Sequence, residues 1–411
     1  MNTVLIGAGQ AALQTIVSLR QQGYEGDIHL IGDEPFIPYQ RPPLSKAYLL
    51  GELERDRLFL KPEKFFDEQN VTMHLEKTVT SIDPEAKTIA GDDGFALDYD
   101  KLVIATGSRP RILDLPGRQL KHIFDLRGMS DIDAMMPHFQ AGKKLAIIGG
   151  GYIGLEAAAV GRKMWLDVTV LEAAPRLLAR VAEPELSAYF TRLHEGHGVE
   201  IKTDTSIVGF TESTSEAGCV GGIEFADGSI LDADMVITGI GILPNIEIAA
   251  EAGLEIENGI VVDDLGRTSV ADIYAAGDCT YHPNDLLKRK LRLESVPNAI
   301  EQGKAVASDI VGKPQPYHQV PWFWSDQYDV KLQIVGVPER VDHKVLRGDD
   351  TTNSFAWFYF TDGKLTGVTA VNRMAEFMAG KQLILKACSE GHEISPEQLV
   401  DEDSKPKSWL A

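Results

Sequence analysis

Cysteine is scarce. Cys219, Cys279 and Cys388 are the only three in 411 residues, and they stand far apart without C-x-x-C spacing. An odd, scattered set excludes a disulfide framework and a local dithiol centre, and it fits a reducing compartment. Long apolar runs are missing too; none approaches the roughly 18 residues that a spanning helix needs. Positive charge is in deficit, with 40 Lys plus Arg against 61 Asp plus Glu and a net charge of −21. Such a balance disfavours nucleic acid and anionic membrane as partners. Ligand-spaced histidine clusters are absent as well: HEGH at 194–197 has two histidines and no companion cluster, so no metal site is read. The chain opens directly on TVLIGAG, from which a cytoplasmic protein without a targeting peptide is expected.

What the chain does have is glycine in a pattern. Its length exceeds one compact core and predicts two or three domains. Apolar residues 4–6 lead into Gly7-Ala8-Gly9-Gln10-Ala11-Ala12. Leu13, Ile16 and Val17 then share one helical face, and a second apolar stretch, 28–31, ends at Gly32-Asp33. This is strand, G-x-G-x-x-A, helix, strand and acid, with 26 residues from Gly7 to Asp33. In such a unit Gly7 permits the tight turn, Gly9 lets backbone approach a pyrophosphate, and Ala12 allows close helix packing. The helix N-terminus faces the phosphates, and the acid holds a ribose hydroxyl pair. The unit recurs as Gly149-Gly150-Gly151-Tyr152-Ile153-Gly154, a helix, the strand 168–171 and Glu172, 23 residues beyond Gly149. One fingerprint is weak evidence; two in the same order predict two Rossmann-like dinucleotide-binding domains.

A second landmark is also doubled. LVIATGSRP (102–110) contains Ala105, Thr106 and Gly107, and MVITGIGILPN (235–245) contains Gly241. Both read as buried strands entering glycine turns, as an internal duplication requires. TSVADIYAAGDC (268–279) ends in Gly277-Asp278. Asp278 reads as a turn residue by its type, or as the acceptor for a ribitol hydroxyl in a flavin fold. From about residue 319 the texture changes to alternating strands around an Asp-Gly turn. RMAEFMAGKQLILKAC then reads as an amphipathic helix, so a third, α+β domain is predicted.

The order G-x-G-x-x-A, PPLSK, ATG, GGGYIGLE, AAGDC, ESVPNAIEQ and PWFWSDQYDVKLQ resembles the oxygenase-coupled, NADH-dependent ferredoxin reductases. That is the group of putidaredoxin reductase and the biphenyl dioxygenase reductases, and the resemblance covers nearly the whole chain. It implies an α/β, glutathione-reductase-like two-nucleotide fold with a C-terminal α+β domain. FAD would occupy the discontinuous segment 1–112 and 247–318, NADH the inserted 113–246, and 319–411 would cover the flavin. NADH would give hydride to FAD, and electrons would pass singly to a small acidic 2Fe-2S ferredoxin serving a cytochrome P450 or a Rieske-type oxygenase. The implied FAD contacts are Gly7, Gly9, Ala11, Ala12, Asp33, Arg41, Lys46, Val79, Ala105, Thr106, Gly107, Arg127, Gly277, Asp278, Val296 and Trp322. The implied NADH contacts are Gly149, Gly151, Tyr152, Ile153, Gly154, Glu156, Glu172, Arg180 and Gly241. Lys46, Glu156 and Trp322 are the implied catalytic residues, with Trp322 close to the isoalloxazine.

PYQRPPLSKAYL (38–49) carries the most specific of these motifs. Pro42 biases Arg41 to extended structure, and the two prolines stiffen a ledge expected to place Lys46 at the head of a following helix. Lys46 reads as a solvated lysine by type and as a flavin neighbour by resemblance. Glu156 has two readings: complement to its helix N-terminus, or a group near the nicotinamide paired with Lys46. Disulfide reductases of this fold place cysteines beside the flavin, and related NADH oxidases use one near this point. Here no cysteine precedes Cys219, and Cys279 reads as a small buried hydrophobe. Electrons are therefore expected to leave for an external acceptor. The alternatives are a redox-sensing flavoprotein of the apoptosis-inducing type, or a rubredoxin reductase or NADH oxidase. A monomer or homodimer is expected. Lys288, Arg289, Lys290 and Arg292, with Lys304 and Lys331, form the candidate docking patch, and Trp324 reads as its apolar anchor or as core.

Glu172 stands where a 2′-phosphate would fall. Two unit charges about 4 Å apart repel by about 4 kcal/mol at an effective dielectric of 20, up to about three decades of discrimination. Arg176 and Arg180, placed for a pyrophosphate, soften this. NADH is therefore expected to exceed NADPH in kcat/KM, and equal values for the two coenzymes would overturn the role of Glu172.

Overall fold

The computed structural model describes residues 1–410. Two five-stranded parallel sheets repeat one plan. The first has the order Ile273–Ala275, Lys101–Ile104, Asn2–Ile6, Asp27–Ile31, Val71–His74. The second runs Glu200–Lys202, Asp167–Leu171, Lys144–Ile148, Met235–Thr238, Ile123–Asp125. The central strands are apolar almost without a break, as parallel strands covered on both faces must be. Val4, Leu5, Ile147 and Ile237 are buried accordingly. The first sheet takes its edge strand from Ile273–Ala275, after the second sheet is complete, so the second nucleotide fold interrupts the first.

The chain crosses between these units twice, and the two crossings pair with each other. Ser108–Pro110 and Ile242–Pro244 form a short antiparallel ribbon. Asn245 fastens it, with its backbone N–H donating to Gly107 O at 3.0 Å and its Nδ2 to Thr106 O at 2.9 Å.

The third unit is an antiparallel five-stranded sheet in the order Trp322–Gln327, Val330–Val335, Lys364–Val371, Ser354–Thr361, His343–Asp349. Its Asp-Gly turn joins Thr361 to Lys364, with Asp362 and Gly363 both at positive φ (49° and 74°), the geometry a two-residue hairpin demands. The expected C-terminal helix spans Met374–Ser389. Among the described residues no helix is long and apolar enough to cross a membrane.

One buried cation ties the last residues down. Arg347, 3% exposed, reaches Glu376 Oε1 at 3.1 Å and donates to the carbonyls of Leu399, Asp401, Glu402 and Ser404. Trp409 lies over its guanidinium, 5.3 Å away. Removing one partner of a buried, fully hydrogen-bonded ion pair typically costs about 3–5 kcal/mol. Arg347→Met is expected to lower the urea midpoint accordingly and to expose the segment after Pro396 to limited proteolysis. A tail cut no faster than in the wild type would refute this role.

Candidate functional site

A cavity of about 1010 Å³ opens between the carboxyl ends of the two parallel sheets, and both glycine turns line it. This is where ligands bind in open α/β folds. The turns are built alike. Gly7 (φ +104°) donates to Ile31 O, and a Cβ there would stand 2.3 Å from Ala105 O. Gly149 (φ +111°) donates to Leu171 O, and its Cβ would meet Gly239 O at the same 2.3 Å. Gly9 and Gly151 cap the helices Gln10–Gln21 and Tyr152–Lys163. Nothing stands within 4 Å of where their side chains would begin, so each helix N-terminus has room for a phosphate.

The acids fall at the expected strand ends, and both line the cavity. Glu172 is held by two amides, accepting from Gly150 N at 2.7 Å and Ala174 N at 2.8 Å. Asp278 accepts from Ser108 Oγ at 2.9 Å beside Gly277, whose N–H goes to Gln302 Oε1 at 2.7 Å.

Two arginines meet near the first glycine turn. Arg41 is held by three contacts, pairing with Glu34 Oε1 at 2.5 Å and donating to Tyr39 Oη and Arg127 O at 3.0 Å each. Arg127 is not. Its guanidinium has Asp278 at 3.7 Å and donates no hydrogen bond among the described residues. Burial, with Arg41 nearby, pushes its pKa below the usual value. A half-buried cation with free donors facing a cavity suits a pyrophosphate. The Tyr152 hydroxyl is a second orphan, buried in the cavity wall without a partner, and burial raises its pKa. The glycine turns, the terminal acids and these two unfilled groups fit two dinucleotides.

At the centre lies a charge held from three sides. Glu156, 5% exposed, pairs with Lys46 Nζ at 2.7 Å. Ser45 Oγ donates to its Oε2 at 2.5 Å and Ser325 Oγ to its Oε1 at 2.6 Å. Lys46 and Ser45 come from the first nucleotide fold, Glu156 from the second and Ser325 from the antiparallel sheet. The pairing of Glu156 with Lys46 is present, and Lys46 is not a freely solvated lysine. Lys46 is 19% exposed, and Glu156 lies beyond the first turn of its helix.

Several expectations need correction. No helix follows Lys46. Pro42–Ser45 forms a tight 3-10 turn, Lys46 closes it, and a run of turns continues to Gly51. Pro43 O takes both the Lys46 and the Tyr48 N–H, so no α-helical ladder starts. Trp322 does not reach the main cavity. It borders a neighbouring pocket of about 310 Å³ and packs on Phe377, with Lys381 Nζ 5.3 Å from its ring. Trp324 and Phe323 line the main cavity instead: Trp324 stands two residues, roughly 7 Å, further along the face of Trp322, and Phe323 alternates to the opposite face. Val79 lies in the core beside Val4, Ile6 and Ile31, and Ala12 is fully buried; neither lines the cavity. The other implied contact residues all do.

The proposed basic patch is largely neutralised: Arg289 pairs with Glu339, Lys290 with Glu257, Arg292 with Glu294 and Lys304 with Glu301. Ser45, Ser325, Glu34 and Tyr39 were missed. The two serines sit inside PPLSK and WFWSDQ, and small hydroxyls embedded in apolar motifs were the available signal.

Comparison with known proteins extends this picture. Residues 1–303 match the family model of the pyridine nucleotide-disulphide oxidoreductases, and 322–410 match the reductase C-terminal domain. The chain is 40% identical to rhodocoxin reductase of Rhodococcus erythropolis over 100% of this chain and 95% of that protein. Its fold is similar to putidaredoxin reductase in a covalent complex with putidaredoxin (TM-score 0.95, 39% identity, 100% of this chain and 98% of that one). It is similar also to a ferredoxin reductase from Rhodopseudomonas palustris (TM-score 0.94, 40% identity, 100% of both chains).

Arg127→Ala is expected to weaken FAD binding roughly ten- to a hundredfold, the worth of one charge-assisted hydrogen bond. Fluorescence titration of flavin-stripped protein reads this directly. An unchanged Kd would show that Arg127 faces no phosphate.

Proposed function

Because the chain belongs to the pyridine nucleotide-disulphide oxidoreductase family and carries a reductase C-terminal domain, we propose that its cavity serves the ferredoxin reductase of an oxygenase system. The protein takes hydride from NADH and delivers electrons singly to a 2Fe-2S ferredoxin. The observation that carries this reading is one cavity faced by both glycine fingerprints, with Lys46 and Glu156 between them and no cysteine in its lining. Cys279, next to Asp278, is fully buried, and desolvation pushes its thiol up to about 11. It is no redox relay.

FAD supplies the conversion between a hydride donor and a single-electron acceptor; the protein supplies position and charge. In this reading residues 1–112 with 247–318 hold FAD, 113–246 hold NADH, and 319–411 cover the flavin. Gly9 and Arg127 take the FAD pyrophosphate, Asp33 its adenosine ribose and Asp278 its ribitol. Gly151 and Arg180 take the NADH pyrophosphate, and Glu172 the ribose hydroxyls. Lys46 would hold a positive charge toward the flavin in this cavity, where it would favour the negatively charged reduced form. Tyr152 and Phe323, edge to face with centroids 4.8 Å apart, wall off water. Trp324 borders both the main cavity and the smaller pocket, and marks the side from which the acceptor approaches. The enzyme works in the cytoplasm.

Steady-state turnover with NADH and purified 2Fe-2S ferredoxins tests the reading. Ferredoxin reduction should weaken as salt rises, because a −21 protein needs local positive charge to receive an acidic partner. Reduction of ferricyanide should hold steady under the same titration. A protein that binds no FAD, or that reduces ferricyanide but no ferredoxin, would end this proposal.

A further inference from the structure

Beyond Glu156 the structure contains a hydrogen-bonded chain that the chemistry above leaves unused. Ser325 Oγ, which donates to Glu156 Oε1, lies 3.1 Å from Gln327 Nε2. Gln327 Oε1 is 2.8 Å from His194 Nε2, and His194 Nδ1 is 3.1 Å from the Tyr328 hydroxyl. Ser325, Gln327 and His194 are each no more than 1% exposed. His194 belongs to the helix Pro184–Gly196 of the second nucleotide fold, and Ser325 and Gln327 to the first strand of the antiparallel sheet. The chain therefore crosses from one unit to the other before it reaches the cavity.

Its direction is dictated by the charge at its end. An ionised carboxylate only accepts, and Glu156 is paired with Lys46. Ser325 has a single proton, and it goes to Glu156. The Ser325 lone pairs then face Gln327, which must present its NH₂ group there and its carbonyl to His194. A carbonyl needs a donor, so His194 carries its proton on Nε2. Nδ1 is left bare and accepts from Tyr328. Every proton in the chain points toward Glu156.

We infer that His194 and Gln327 are positioning residues of the hydride-transfer site: through Ser325 they hold Glu156 as an oriented anion, with Oε1 filled from one side and Oε2 kept for Lys46 and Ser45. The inference rests on the reading of the cavity given above. Burial agrees with it, since desolvation lowers His194 to about 4 and keeps the ring neutral near pH 7, with one bare nitrogen. Tyr328 is itself fixed. Its ring stacks on His197 at 3.7 Å, and His197 Nδ1 is 2.8 Å from Leu193 O.

Two readouts test the assignment in the FAD-loaded protein. A long-range ¹H–¹⁵N spectrum should show His194 protonated on Nε2 and bare on Nδ1; the opposite tautomer or a doubly protonated ring would overturn the chain. In stopped-flow reduction by NADH, His194→Leu should lower the limiting rate up to about tenfold, the upper worth of one neutral hydrogen bond. The apparent Kd for NADH should stay put. His194→Gln, which restores an N–H at the Nε2 position, should recover the rate to within about twofold. FAD content and Tm of both variants identify misfolding: rates that fall equally in the Leu and Gln variants, or not at all, overturn the inference. If the wild type itself fails to reduce FAD with NADH, the reading of the cavity falls and this inference with it. If the wild type reduces FAD and the two variants match, only the inference falls.

Discussion

A carboxylate removed from water is costly unless its charge and lone pairs are met. Glu156 is such a group, and its partners come from both of the other units: Lys46 and Ser45 from one, Ser325 from the other. None of the three reaches it unless the two nucleotide folds and the antiparallel sheet are correctly docked. The ion pair thus makes the electrostatics at the centre of the cavity a function of how the units are assembled. The same contacts that fix the docking also fix the charge at the centre of the cavity.

What the sequence made legible follows from where the constraint lies. The glycine turns were readable because backbone geometry itself selects the residue: a Cβ at Gly7 or Gly149 would collide with a carbonyl of the adjoining turn. The strand alternation and Asp-Gly hairpin of the third unit were readable because they follow local periods. The contrast between Trp322 and Trp324 was not, since both occupy the same face of one strand and only tertiary packing decides which meets the cavity. Nor was the fate of the basic run at 288–292. Two of its neutralising acids, Glu257 and Glu339, lie more than 30 residues away along the chain, and only Glu294 beside Arg292 is local. The residues after Lys46 looked helical, but two prolines and Gly51 confine them to short turns.

The scarcity of thiols and the plan of the cavity point the same way. A flavoprotein of this fold with a cysteine beside the flavin has an internal place for electrons to wait. Here Cys279 lies in the core, its Sγ turned to the carbonyls of Ile104 and Ala276, and Cys219 and Cys388 lie outside the cavity lining. The tryptophan-bearing strand closes the cavity on one side and borders a second pocket on the other. Electron exit is in this way a matter of protein surface, and acceptor choice is separated from nucleotide binding.

The ribbon of Ser108–Pro110 against Ile242–Pro244 has a consequence for how such a molecule arises. The ends of the inserted unit lie one interstrand spacing apart, roughly 5 Å, and are hydrogen-bonded to each other. A segment whose ends already meet can be grafted into a host loop without stretching it, or exchanged for another segment of the same closure. The inserted unit is in that sense a cassette, and the ribbon is its clasp.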